Sequence, residues 1–137
     1  MNQLRGRIVG IESNDHVSLV EVEIGGDTFS AMLLETPESA PYLAIGNEVQ
    51  VLFKETEVSL AKNLSGLISL RNRVHATVRA VRSGAILSEV ELDYRGQRLC
   101  SIITTRSIRR LDIRAGDEVE ALIKANEVSL MEVRSDR

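Results

Sequence analysis

Gly46-Asn47-Glu48-Val49-Gln50-Val51-Leu52-Phe53-Lys54-Glu55-Thr56-Glu57-Val58-Ser59-Leu60 returns, at an offset of 70 residues, as Gly116-Asp117-Glu118-Val119-Glu120-Ala121-Leu122-Ile123-Lys124-Ala125-Asn126-Glu127-Val128-Ser129-Leu130. The same offset holds outward to the start of the chain without a gap. Asn2 falls on Asn72, Val20-Glu21 on Val90-Glu91, and Ile8 and Ile11 on Val78 and Val81. Between 1–60 and 71–130, 15 positions are identical. An offset that persists from end to end marks an internal repeat, here one unit of 60 to 70 residues present twice.

Each unit reads as short strands. In the first, Leu4 to Glu12 alternates loosely and Val17 to Ile24 is rich in β-branched residues. Gly25-Gly26-Asp27 supplies a hairpin turn, and Phe29 to Leu34 is the return strand. Pro37-Glu38-Ser39-Ala40-Pro41 then interrupts, and a single helical turn is expected there. Val49, Val51 and Phe53 alternate with Gln50, Leu52 and Lys54, and Val58-Ser59-Leu60 forms a last strand. The second unit predicts strands near 73–82, 86–94, 98–103, 118–124 and 127–133. Five short strands with a helical turn before the fourth describe a small barrel of the OB type. The expected fold is therefore all-β: two tandem OB-like five-stranded β-barrels, residues 1–65 and 66–137. They should pack closely, because Leu64-Ser65-Gly66-Leu67 is too short for a free linker. A barrel of about 65 residues is marginal by itself. No long helical period appears, which excludes α/β winding.

Composition narrows the function. The chain has 137 residues, 43% of them hydrophobic and 27% charged, with four aromatics (Phe29, Phe53, Tyr42, Tyr94), so an aliphatic core is expected. Cys100 is the only cysteine. That rules out an internal disulfide and a cysteine metal cluster, and a mid-strand packing role suits it better than nucleophilic chemistry. There is no apolar run of membrane-spanning length and no signal-peptide pattern, so a cytoplasmic setting without membrane contact is expected. The net charge of −3 is unevenly spread. Residues 1–65 carry 4 basic and 10 acidic side chains, whereas 66–137 carry 13 and 10. An anionic partner belongs with the second half.

No base–nucleophile pair, phosphate loop or zinc spacing is present, and no catalytic role is expected. His16 and His75 suit surface positions better than metal ligation. What remains is a polar set in the second unit. Ser69-Leu70-Arg71-Asn72 precedes its first strand, Thr104-Thr105-Arg106-Ser107 lies where a strand gives way to a turn, and Lys124-Ala125-Asn126 ends the fourth strand. Fixed cations (Arg71, Lys124) with hydroxyl donors (Ser69, Thr104, Ser107) are what a tetrahedral dianion needs. Each residue also has a plainer reading. Thr104 can be an N-cap, Ser107 a first-turn residue, Arg71 an ion-pair partner of Glu91 or Glu120, and Lys124 a solvated strand end. The first unit has Met1, Leu34 and Pro37 where the second has Arg71, Thr104 and Ser107, and keeps only Lys54. A framework that repeats while its polar set does not implies that these residues are not there for the barrel.

The ordered combination of Ser69-Leu70-Arg71-Asn72, Ile102-Ile103-Thr104-Thr105-Arg106-Ser107, Gly116-Asp117-Glu118-Val119 and Ile123-Lys124-Ala125-Asn126-Glu127-Val128 resembles the Mop, or molbindin, type of TOBE domain in its tandem di-Mop form. Only Leu70 departs from the family's Ser-Ala-Arg-Asn signature. The resemblance covers about 2–62 and 66–133. It implies a molybdate- or tungstate-binding protein that discriminates against sulfate, uses no organic cofactor and holds its anion where Mop units of neighbouring subunits meet. It also implies a homo-oligomer, a trimer or else a dimer. By position the family's ligands fall on Ser69, Arg71, Thr104, Ser107 and Lys124, with Leu70, Asn72, Ala125, Asn126 and Lys54 as subsidiary contributors. A free-standing protein of this kind would store or buffer molybdenum. An excised one would be the sensing part of a regulator or transport ATPase. A nucleic-acid-binding OB module is disfavoured by the few aromatics and the negative charge. A bare structural module, with Arg71 and Lys124 serving only an interface, is the remaining alternative.

Overall fold

The computed structural model describes residues 1–133. In chain order its strands are β1 (Asn2–Ser13), β2 (Ser18–Ile24), β3 (Asp27–Leu33), β4 (Glu48–Phe53) and β5 (Ser59–Ala61). The second repeat supplies β6 (Asn72–Ser83), β7 (Leu87–Tyr94), β8 (Gln97–Thr104), β9 (Glu118–Ile123) and β10 (Ser129–Glu132). The helix α1 (Thr105–Leu111) follows β8, and 3-10 turns at Glu55–Glu57 and Ala125–Glu127 follow β4 and β9. The two OB-like five-stranded barrels expected from the repeat are present.

Local chemistry explains the elements. β2 shows strict in–out alternation, with Ser18, Val20, Val22 and Ile24 buried, which is the period of a strand packed on one face. Gly25 (φ 55°) and Gly26 (φ 98°) join β2 to β3 in a two-residue turn of positive φ, the geometry that matches strand twist. The second repeat makes the same turn with Arg95 (φ 50°) and Gly96 (φ 84°). Gly6 leaves room for β2: a Cβ there would sit 2.5 Å from Val22 Cγ1. Long β1 and β6 each break register once, between Ile8 and Gly10 and between Val78 and Ala80. A bulge bends a strand and lets one strand serve two stretches of a curled sheet.

The repeats differ in one element. Thr104 caps α1 through its side chain, whereas Thr36–Pro41 forms only turns, closed by an Ala40 N–H to Thr36 C=O bond of 2.8 Å. The single turn expected at Pro37–Pro41 is present in the first repeat but is not continued into a helix, and the 3-10 turn after β4 is a separate feature that recurs after β9. Pro41 has no N–H to extend a helix.

The sheet order contains the main departure from the expected strand assignment. The strands run β10-β4-β1-β2-β3 in one sheet and β5-β9-β6-β7-β8 in the other, so each repeat gives its fifth strand to its neighbour. Ser129 opposes Leu52 and, equivalently, Ser59 opposes Leu122. The crossing chains are held by side chains as well. Ser101 Oγ donates to Val58 C=O at 2.7 Å, and the 3-10 turns pack on β8 and β3 of the opposite repeat.

A single core runs through both repeats. It is largely aliphatic, but its centre is aromatic. Phe29 lies 6.2 Å from both Phe53 and Tyr94, stacked on the first and edge-on to the second. Tyr94 belongs to the second repeat, so the repeats share a hydrophobic interior that neither has alone.

Candidate functional site

Antiparallel pairing of β6 with β9 places Asn72 opposite Ile123. The residues just before β6 and just after β9 therefore arrive together at one end of the sheet. Ser69, Leu70 and Arg71 meet Lys124, Ala125 and Asn126 there, around a cleft of about 240 Å³. The sequence set these two segments more than fifty positions apart, and the strand register brings them together.

The electrostatics of this cleft differ from those of the neighbouring surface. Arg73, two residues along β6, forms a two-pronged pair with Glu120 on β9. Arg82 and Arg98 share Glu89 and Glu91. The carboxylates named as possible partners of Arg71 are thus taken by other arginines. Among the described residues, neither Arg71 nor Lys124 forms an ion pair, although both are exposed at the same cleft. Two cations lining one cleft without a counter-charge create a positive potential that an anion relieves.

Thr104 and Ser107 lie elsewhere. Thr104 is the N-cap of α1: its Oγ1 accepts from Ser107 N–H at 3.1 Å and donates to Ser107 Oγ at 2.8 Å. With Ala85, Ile86, Arg106 and Arg109 it borders a separate cleft of about 290 Å³. Within one chain the five principal residues therefore fall into two groups, Ser69–Arg71–Lys124 and Thr104–Ser107.

Asn72 is fully buried, and its carboxamide is bonded to β3. Oδ1 accepts from Ser30 N–H at 2.6 Å and Nδ2 donates to Ser30 C=O at 2.9 Å. Asn2 makes the same two bonds to Cys100 on β8, both 2.8 Å. β3 and β8 are the terminal strands of their sheets. A carboxamide offers the donor and acceptor of a peptide unit, so each Asn stands in for one residue of a missing neighbouring strand. The asparagine shared by the two repeats was a visible sign of a structural role.

The first repeat's counterpart of the cleft is differently charged. Met1 replaces Arg71, and Glu55 replaces Ala125. The Glu55 carboxylate accepts from the Met1 ammonium at 2.6 Å, which holds it below the ordinary carboxylate range. Lys54 is exposed beside Glu57 and Glu127. Carboxylates thus face both cations of this pocket, Lys54 and the Met1 ammonium, whereas no carboxylate among the described residues lines the Arg71–Lys124 cleft.

His16 and His75 are exposed, and no group of three metal-ligating side chains occurs among the described residues. Cys100 is buried and its thiol is pushed up by desolvation, the opposite of an activated nucleophile. No helix among the described residues is long and apolar enough to cross a membrane. The sequence reading missed Met32. It reaches the Arg71–Lys124 cleft from β3 of the other repeat, and nothing in its local sequence marks it.

The TOBE domain model matches residues 1–60 and again 68–130. The chain belongs to the TOBE domain family. The solved structure of the cytoplasmic molybdate-binding protein ModG, with molybdate bound, superposes with a TM-score of 0.90 at 30% identity and covers 96% of each chain. Among curated relatives, the molybdenum-pterin-binding protein MopB of Rhodobacter capsulatus is 32% identical over 127 residues, which are 90% of this chain and 47% of its own length. The molybdenum import ATP-binding protein ModC of Brucella abortus is 31% identical over 122 residues, 88% of this chain and 32% of its own. The chain thus spans about a third to a half of these curated relatives.

Proposed function

We propose that this TOBE chain binds a tetrahedral oxyanion, molybdate or tungstate, without catalysing a reaction, and so stores or buffers it in the cytoplasm. The observation that carries this is the unpaired couple Arg71 and Lys124 at one cleft. The ModG likeness supplies the ligand class, since it spans nearly the whole of both chains. In this reading Ser69 and the backbone N–H groups of the Leu70 and Ala125 segments complete the charged side of the site, with Asn126 at its rim. Thr104 and Ser107, which lie apart from that cleft, come from a second copy, so the complete site forms in a homo-oligomer, a trimer or else a dimer. Asn72 holds the frame and Lys54 contributes little. A second reading is favoured by the match to part of ModC: the same cleft would then be the sensing element of a transport ATPase or regulator. The ion and the residues are the same in both.

Isothermal titration of the protein with molybdate, tungstate and sulfate tests the proposal. Saturable heat from the first two, with affinity weakened by roughly 30-fold or more in Arg71→Ala, is expected. No heat from either would end it, and retention on single-stranded DNA instead would favour a nucleic-acid module.

A further inference from the structure

We infer that Met32, supplied by the first repeat, sets the ion selectivity of the cleft carried by the second; this deepens the oxyanion reading and rests on it. β3 packs against the 3-10 turn Ala125–Glu127, and Met32 lines the cleft that contains Arg71 and Lys124. Its neighbours Phe29, Ala31 and Leu33 are buried in the core, whereas Met32 is 44% exposed. The thioether is therefore not used to fill the interior. It is also the one lining side chain that comes from outside the second repeat.

The need for such a wall follows from electrostatics. Attraction to two cations grows as the ions approach, so Arg71 and Lys124 alone favour the smaller dianion, sulfate. Selection of a larger oxyanion requires a cost that falls more heavily on sulfate. A thioether supplies it, because it offers no donor. An oxyanion oxygen pressed against it loses water and gains no hydrogen bond. Sulfate, the smaller ion of equal charge, holds its water more tightly and loses more.

Substitution at this position separates polarity from size. In titrations of molybdate against sulfate, Met32→Leu keeps the wild-type preference. Met32→Gln, of similar length but with an N–H donor, raises the affinity for both ions but for sulfate more, moving the sulfate-to-molybdate ratio by roughly threefold, a fraction of the worth of one charge-assisted hydrogen bond because either ion can accept it. Met32→Ser provides a second polar variant should Met32→Gln be poorly folded, and unfolding midpoints close to wild type confirm intact barrels. An unchanged ratio in both polar variants, or an equal shift in Met32→Leu, overturns the inference while leaving the oxyanion reading in place. If the wild-type protein binds none of the three ions, that reading fails and this inference fails with it.

Discussion

Replacing Asn72 by alanine tests whether this residue belongs to the frame or to the ion. Asn72 is 0% exposed and Ser30 3%, so the two bonds between them form away from water. Truncation orphans the N–H and C=O of Ser30 on a terminal strand. Each buried backbone group left unpaired costs about 1–3 kcal/mol, so the loss should be about 2–5 kcal/mol once local relaxation is allowed. At roughly 3–5 °C per kcal/mol for a chain of this length, the unfolding temperature falls by about 6–25 °C. Urea unfolding followed by circular dichroism measures the difference, with the exposed Gln3→Ala as a control expected within about 0.5 kcal/mol of wild type. Asn2→Ala should cost a similar amount, because its two bonds to Cys100 repeat the arrangement. Molybdate affinity of the folded Asn72→Ala protein should stay within about threefold of wild type, no ligand contact having been lost. Full stability with abolished binding would refute the reasoning and move Asn72 to the ion.

Three further outcomes are expected. Arg71→Ala and Lys124→Ala should each weaken molybdate binding by roughly 30-fold or more, whereas Lys54→Ala changes it by less than about threefold, since a charge-assisted contact to a dianion is lost only at the first two; equal losses at Lys54 and Lys124 in titration would show that both repeats bind alike. Lys62→Met should destabilise the chain by about 1–3 kcal/mol and speed amide exchange in α1, because Lys62 Nζ donates to Leu111 C=O at 3.1 Å and Asp112 C=O at 2.6 Å and pairs with Asp117 at 3.0 Å; unchanged exchange would show that it does not hold the helix end. Arginine bonds hold Glu91 and Glu120 below their ordinary value of 4.5, and the Arg114 backbone N–H and Lys62 hold Asp117 below 3.8. A folded-state value below the unfolded one adds stability that is present above the unfolded value and is lost as pH falls through the folded one. The urea midpoint should therefore be flat above about pH 5 and decline below about 4.5, less steeply in Glu120→Gln; a midpoint that rose on acidification would contradict these pairings.

The likeness to ModG and the cationic cleft support the same conclusion from different directions. One is a match of the whole chain, the other a local imbalance of charge that the fold itself does not require. The first repeat shows the contrast most directly. It has the same strands and the same fifth-strand exchange, yet Glu55 stands where the second repeat has Ala125, and Met1 where it has Arg71. The barrel tolerates either set.

The sequence alone determined the repeat, the strands and their turns. It also determined which half carries the cationic and hydroxyl groups, because period-2 burial, positive-φ turn residues and charge are local properties of the chain. It could not assign the fifth strands. Val58-Ser59-Leu60 and Val128-Ser129-Leu130 are identical, and their partners Leu52 and Leu122 are identical too. Either strand satisfies either sheet, and only the path of the crossing chain chooses. The convergence of Arg71 with Lys124, the use of Glu91 and Glu120 by other arginines, and the arrival of Met32 from the opposite repeat were likewise decided by tertiary structure. Each depends on register and packing between residues distant in sequence, where no local pattern carries the information.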